Sequence, residues 1–191
     1  MSRLLRASGF QVVVHNSAAE FLAMLPPDNR GCVITDLMMP GMDGMALQGA
    51  LSKAGCLLPI VFVTGHGDIP TSVQAMRRGA DDFLTKNAPK ADLLAAVNRA
   101  LARNAQLRAE AARLQALRQP FKQLTDRDRE VLRHVLQGRM NKEIAADLGI
   151  HERTVKLHRT AITTKLGVHS VAELTHLVQA AGFWNGGQLS L

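Results

Sequence analysis

Three side chains in the first half of the chain could together handle a phosphoryl group. Asp36 ends the apolar run Cys32-Val-Ile-Thr-Asp36, Thr64 closes Ile60-Val-Phe-Val-Thr64, and Lys86 follows Asp82-Phe-Leu-Thr85. If each run is a strand, a carboxylate, a hydroxyl and an ammonium stand at three consecutive strand ends, where open α/β sheets place their chemistry. A carboxylate there can accept a phosphoryl group while the ammonium and hydroxyl stabilise its oxygens. A second group lies far along the chain. Arg153, Lys156, His158, Arg159 and Lys165 crowd one short segment, opposed within it by Glu152 alone. On one face of a helix they could neutralise DNA phosphates and reach base edges in the major groove.

The elements that must position these residues follow from hydrophobic period. Apolar β-rich runs at Phe10 to Val14, Cys32 to Leu37, Ile60 to Thr64 and Asp82 to Leu84 alternate with helical patterns at Ala18 to Leu25, Gly44 to Ala54 and Thr71 to Arg78. Alternating strands and helices predict βα units on a parallel sheet covered on both faces. Ser17 with Glu20 forms a capping-box pattern, and Met39-Pro40-Gly41-Met42 suits a type II turn. A long Ala-, Leu- and Arg-rich helix runs from Ala91 to Arg118 and ends before Pro120. Leu93, Ala100, Leu107 and Leu114 repeat every seven residues, a seam broken by Asn104 and Arg118. It fits either a connector helix or a dimeric coiled coil.

Beyond Pro120 no strand pattern survives. Helices are expected over Asp126 to Leu136, Lys142 to Leu148, Glu152 to Leu166 and Val171 to Ala181, with Gly138, Gly149 and Gly167 at their ends. Thr125 with Asp128 and Ser170 with Glu173 are further capping boxes. The end of the chain, Gly182-Phe-Trp-Asn-Gly-Gly187, reads as a frayed terminus rather than a contact patch. The domains expected are therefore 1–105 (α/β), 106–120 (linker helix), 121–185 (all-α) and 186–191 (tail).

Composition is consistent with this division. The chain has 191 residues and a net charge of +7. Residues 1–105 hold 10 basic and 8 acidic side chains, whereas 106–191 hold 13 and 8, so the excess lies where the basic helix is. Two cysteines, Cys32 and Cys56, form neither a disulfide framework nor a zinc pattern. The seven histidines offer no metal set, since His151 and His158 on the basic helix lack carboxylate or thiolate partners. No apolar run approaches the ~20 residues that span a bilayer, and no signal peptide opens the chain. A reduced, cytoplasmic protein with no membrane partner is expected.

The C-terminal text Leu124-Thr-Asp-Arg-Asp-Arg-Glu-Val-Leu132, Gly138, Asn141-Lys-Glu-Ile-Ala145, Thr154-Val-Lys156 and Lys165-Leu-Gly167 resembles the LuxR-type helix-turn-helix domain over about residues 120–182. The resemblance implies that Glu152 to Leu166 is the recognition helix. It places Lys156, Leu157 and Thr160 against bases, and Asn141, Lys142, Arg153, Thr154, His158 and Lys165 against the phosphate backbone. Arg159 joins them from its place on the basic face. His151 departs from the family, standing where a capping Ser is usual.

The N-terminal text Ile34-Thr-Asp-Leu-Met-Met-Pro-Gly-Met-Asp-Gly44, Thr64-Gly-His-Gly-Asp68, Ala75-Met76, Gly79-Ala80 and Phe83-Leu-Thr-Lys86 resembles the receiver domain of two-component response regulators of the FixJ/NarL type. That implies a flavodoxin-like parallel sheet, with Asp36 as phosphoacceptor, Thr64 and Lys86 sensing the phosphoryl group and Phe83 as the switch aromatic. It also implies Mg²⁺ held by Asp36 and the Met38 carbonyl. Two departures bear on this. Family receivers open with a strand ending in an acidic Mg²⁺-binding pair, whereas Met1 to Phe10 matches the end of the first helix and the start of the second strand. No other carboxylate replaces the pair, since Glu20, Asp28 and Asp43 fall on a helix or loops. Asn87 stands where Pro usually follows the lysine, which disfavours the family's cis peptide.

The expected function is a DNA-binding transcriptional regulator rather than an enzyme. A sensor histidine kinase phosphorylates Asp36, the chain forms a homodimer, and the dimer binds paired half-sites in promoter DNA. The alternative keeps DNA binding but makes the receiver an interaction module that works without phosphorylation. A phosphotransferase using an aspartyl-phosphate is a third reading, and no second substrate pocket is evident for it.

Overall fold

The computed structural model describes residues 1–25, 30–65, 69–185 and 188–189. The chain divides into two compact units, 1–109 and 110–191.

In the first unit the elements are α1 (Ser2–Ala7), α2 (Ala18–Ala23), β1 (Val33–Thr35), α3 (Gly44–Lys53), β2 (Ile60–Thr64), α4 (Ile69–Arg77) and β3 (Asp82–Thr85), followed by α5 (Lys90–Arg118), which runs on into the second unit. The three strands form a parallel sheet in the order β1-β2-β3, with Val33 beside Ile60 and Val61 beside Asp82. β2 is buried throughout and serves both faces. Ile60 and Phe62 pack with Ala18, Leu47, Leu51 and Ala75 from α2, α3 and α4. Val61 and Val63 pack with Leu5 of α1 and with Leu93, Ala96, Val97 and Ala100 of α5. A sheet sandwiched this way reads as a continuous apolar run, as Ile60 to Val63 does.

The expected strand Phe10–Val14 is not formed. After Gly9, in the left-handed region at φ 88°, the segment runs without regular structure. Phe10 and Val12 lie partly buried against the α1/α5 side, while Val13 and Val14 are 79% and 61% exposed. The Arg6 guanidinium donates to the Val12 carbonyl at 3.1 Å. β-branched residues favour a strand only where a neighbouring strand completes the ladder. Among the described residues no strand pairs with this segment.

The first half of the heptad seam is spent inside this unit, since Leu93, Val97 and Ala100 are core residues. Asn104, which interrupts the seam, is itself buried at 3% exposure. Its Oδ1 accepts from the Gly31 N–H at 3.1 Å and its Nδ2 donates to the Leu57 carbonyl at 2.8 Å. The interruption is thus an anchor that satisfies two loop backbone groups.

In the second unit a 3₁₀ turn (Gln119–Gln123) follows α5, then α6 (Asp126–Leu136), α7 (Asn141–Leu148), α8 (Glu152–Leu166) and α9 (Val171–Ala180). Thr125 and Asp128 form a full capping box on α6, and Ser170 caps α9. Gly149 and Gly167 end α7 and α8 in the left-handed conformation. The core comprises Phe121, Val131, Leu132, Ile144, Val155, Ile162, Leu174 and Val178 with their neighbours.

A short antiparallel pair, β4 (Trp184–Asn185) and β5 (Gln188–Leu189), corrects the expectation that no strand follows Pro120 and that the end of the chain is frayed. It is tied back to the start of the unit. Arg118 donates from Nε to the Ala181 carbonyl at 2.8 Å and lies 5.3 Å over the Phe183 ring. Phe183 in turn meets Phe121 edge-on at 4.9 Å. The rest of the expected tail, residues 186–187 and 190–191, lies outside the described residues.

Candidate phosphoacceptor site and nucleic-acid interface

Asp36 leaves the carboxyl end of β1, and its surroundings follow from strand register. The Lys86 N–H donates to the Thr64 carbonyl at 2.8 Å, so β3 delivers Lys86 beside the end of β2. Lys86 Nζ then reaches Asp36 Oδ2 at 2.6 Å. The other carboxylate oxygen accepts from the Met38 N–H at 3.3 Å. Thr64 is fully buried. The structure therefore brings together the three residues singled out from their strand-end positions.

Burial is the largest influence on Asp36 and pushes its pKa up. The Lys86 and Met38 hydrogen bonds, the Lys86 charge and the Thr64 hydroxyl outweigh it, and the carboxyl is held below its ordinary value. A carboxylate kept ionised beside an ammonium is fit to attack phosphorus, and the same ammonium can then hold the transferred oxygens.

Gly44 makes the site possible. Its N–H donates to the Leu37 carbonyl at 2.9 Å, closing the loop after Asp36 onto the start of α3. A β-carbon at Gly44 would lie 2.4 Å from the Asp36 carbonyl oxygen. Phe83 sits partly buried in the core on the α2/α3/α4 side, 6.3 Å from Phe62. His66, Gly67 and Asp68 of the quoted motif, and Asp28, lie outside the described residues.

The described residues do not fit a Mg²⁺ ion by themselves. Asp43 caps α3 through the Ala46 N–H at 2.7 Å, and Glu20 accepts from the Asn16 N–H at 2.8 Å, so both carboxylates have local partners. Among the described residues no group of three His, Cys, Asp or Glu side chains could hold a metal. There is no cis peptide bond among them either, in keeping with Asn87 after the lysine.

The helix-turn-helix is built by α7, the Gly149 turn and α8. Val155, Ile162 and Leu166 bury the inner stripe of α8 against Ile144, Ala145 and the α6 core. Lys142, Arg153, Lys156, Leu157 and Thr160 stand exposed, with Leu157 at 64%. Arg159 donates to Asn141 Oδ1 at 3.2 Å and joins α8 to the start of α7. Asn141, Lys142, Glu152, Lys156, Arg159 and Thr160 border an open groove of about 750 Å³. Thr154 is partly buried, and His151 makes no side-chain cap to α8.

Two residues of the basic segment are placed differently from the rest. His158 Nδ1 lies 2.8 Å from Asp128 Oδ1, and Lys165 Nζ lies 2.7 Å from Asp128 Oδ2. In the sequence Asp128 reads only as a helix cap. Its two partners are 30 and 37 residues away, beyond the reach of any local pattern.

A three-stranded receiver-like sheet carrying this aspartate–lysine pair, joined to a helix-turn-helix unit, defines a DNA-binding response regulator. Residues 1–98 match the response regulator receiver domain, and residues 122–178 match the bacterial regulatory proteins of the luxR family. The chain belongs to the response regulators of the NarL/FixJ type. It is 42% identical over 180 residues to the transcriptional regulatory protein FixJ of Azorhizobium caulinodans, covering 94% of this chain and 85% of that one. It is 39% identical over 179 residues to the response regulator TodT of Pseudomonas putida, covering 94% and 79%. Among solved structures, the response regulator StyR shares 45% identity with a TM-score of 0.74, over 93% of this chain and 89% of that one. Full-length FixJ from B. japonicum shares 35% with a TM-score of 0.54, over 96% and 91%. Among the described residues no helix is long and apolar enough to cross a membrane.

Proposed function

We propose that a sensor histidine kinase transfers a phosphoryl group to Asp36, and that this transfer controls homodimerisation and promoter binding through α8. The observation that carries the reading is the 2.6 Å approach of Lys86 to Asp36 across the end of the central strand. Asp36 is the nucleophile, Lys86 and Thr64 hold the transferred oxygens, and Phe83 repacks as Thr64 is drawn in. On the DNA side Lys156, Leu157 and Thr160 read bases, while Asn141, Lys142, Arg153, Thr154 and Arg159 meet phosphates. A dimer spanning two half-sites supplies the specificity that one small module lacks. The protein acts as a cytoplasmic regulator rather than an enzyme.

The test is to incubate the full chain with acetyl phosphate, with and without Mg²⁺, and to weigh it. Gain of one phosphoryl group on the wild type and none on Asp36→Asn is expected, with tighter binding to a promoter duplex by the modified chain. No gain, with DNA binding intact, refutes the phosphorylation step. It favours instead a receiver that acts as an interaction module, a reading supported by Asp36 having no second carboxylate beside it among the described residues.

A further inference from the structure

We propose that Asp128 is a positioning residue for DNA recognition: from inside the C-terminal unit it grips α8 at His158 and Lys165 and holds both side chains off the phosphates. The inference rests on the DNA-binding reading of α8 and adds to it a residue that touches no DNA.

Asp128 is 2% exposed. It is fixed first by its own helix, where its Oδ2 accepts from the Thr125 N–H at 3.1 Å and its backbone N–H donates to the Thr125 hydroxyl at 3.1 Å. From that position its two oxygens reach His158 and Lys165 at 2.8 and 2.7 Å. An ionised carboxylate only accepts, so the His158 Nδ1 carries the proton. The two gripped residues are seven apart, two turns along one side of α8. The apolar stripe of Val155, Ile162 and Leu166 draws the helix onto the core, but such contacts are non-directional and tolerate roll. Two charge-assisted hydrogen bonds two turns apart are directional and fix the roll. They thereby fix which way Lys156, Leu157 and Thr160 face.

The charge consequence is separate from the geometric one. His158 and Lys165 are partly buried, close enough to the surface to swing outward if released. Held on Asp128, Lys165 is neutralised internally and displaces no counterion from DNA. The cations left for phosphates are Lys142, Arg153 and Arg159, so a larger share of binding energy depends on base contacts.

The experiment measures binding of the full chain to a random-sequence duplex and to a duplex selected by the wild type, between 50 and 200 mM salt. Asp128→Asn keeps the shape and an acceptor for the cap but removes the charge. It is expected to steepen the salt dependence on the random duplex by about 0.9 in log–log slope, roughly a threefold greater loss across that range. It should also lower the preference for the selected duplex about tenfold, the worth of one base contact. Lys165→Met alone should leave the slope unchanged, whereas Lys142→Ala flattens it by about 0.9. Lys165→Met added to Asp128→Asn should return the slope to that of the wild type. Far-UV circular dichroism identifies any variant that has not folded, and the Lys165→Met and Asp128→Asn results each decide alone. An unchanged or flatter slope for folded Asp128→Asn, or a flattening by Lys165→Met equal to that of Lys142→Ala, overturns the proposal. If the wild type binds no duplex, the DNA-binding reading falls and takes this one with it.

Discussion

Gly44→Ala is a one-atom perturbation that should disturb the phosphoacceptor site from behind. The added carbon would lie 2.4 Å from the Asp36 carbonyl oxygen, 2.8 Å from Phe62 Cε1 and 3.2 Å from the Asp36 carbonyl carbon. Ordinary contacts of this kind start near 3.4 Å, so the start of α3 and the end of β1 must separate by about 1 Å. Neither neighbour yields readily, since one is backbone and Phe62 is fully buried on the central strand. Overpacking of this kind costs ~1–3 kcal/mol. Alanine would return at most ~1 kcal/mol of helix propensity, and less at the first helical position, so a net loss of ~1–2 kcal/mol is expected. The single tryptophan, Trp184, packs on the C-terminal core and gives an internal control. With an m-value of ~1–3 kcal/mol/M, the urea midpoint of the receiver seen by far-UV circular dichroism should fall by roughly 0.3–2 M. The Trp184 fluorescence midpoint should stay fixed. Phosphoryl uptake from acetyl phosphate should drop as well, because the Gly44–Leu37 hydrogen bond that closes the Asp36 loop is stretched. A receiver midpoint equal to or above that of the wild type, with normal uptake, refutes the claim that this close approach positions Asp36.

Asn104→Leu keeps volume but strands the Gly31 N–H and the Leu57 carbonyl, both partly buried; a loss of ~1–3 kcal/mol, read as a lower receiver midpoint in urea, is expected. His151→Ser supplies the side-chain cap that α8 lacks and should raise the Trp184 midpoint in urea by an amount equivalent to ~0.5–1 kcal/mol. Burial raises the Asp128 pKa, but Lys165, His158 and Thr125 outweigh it and hold the carboxyl far below its usual range. A depressed carboxyl pKa contributes stability that is complete above about pH 4 and disappears as the pH falls further. The stability gap between wild type and Asp128→Asn should therefore be constant from pH 8 to 5 and shrink on acidification toward pH 2, as followed by Trp184 fluorescence; a gap that grows with acid contradicts the pairing.

What could be read from the sequence divides along a physical line. α6 and α8 were expected at their observed limits because their boundaries are signalled within the helix itself, by the Thr125–Asp128 box and by Gly149 and Gly167. The strand ends carrying Asp36, Thr64 and Lys86 were legible because a buried parallel strand is a bare apolar run with a polar residue at its exit. Phe10–Val14 carried the same local signal and failed, since a strand is a property of a pair and no strand among the described residues stands beside it. The β4–β5 hairpin escaped for the opposite reason, as two-residue strands are too short to show a period.

The same line runs through the sites. The residue types that do chemistry were evident, but their settings were not. Asn104 looked like a flaw in a heptad seam because hydrophobic period counts only apolar residues; its value lies in two backbone groups that a loop 73 residues away and another 47 away leave unpaired. Asp128 looked complete as a helix cap because a capping box satisfies three-residue logic, yet a carboxylate has two oxygens and about four acceptor positions. A buried carboxylate explained by a single backbone hydrogen bond still has acceptor positions unfilled, and in a low-dielectric interior that shortfall must be met by hydrogen-bond donors. Applied to the sequence, that rule asks which side-chain donors can reach Asp128 once α6 packs on α8. Lys165 and His158 are the two that lie on the inward-turning flank of the basic helix. The basic face is therefore two surfaces, one turned to solvent and one turned to Asp128, and only the fold divides them.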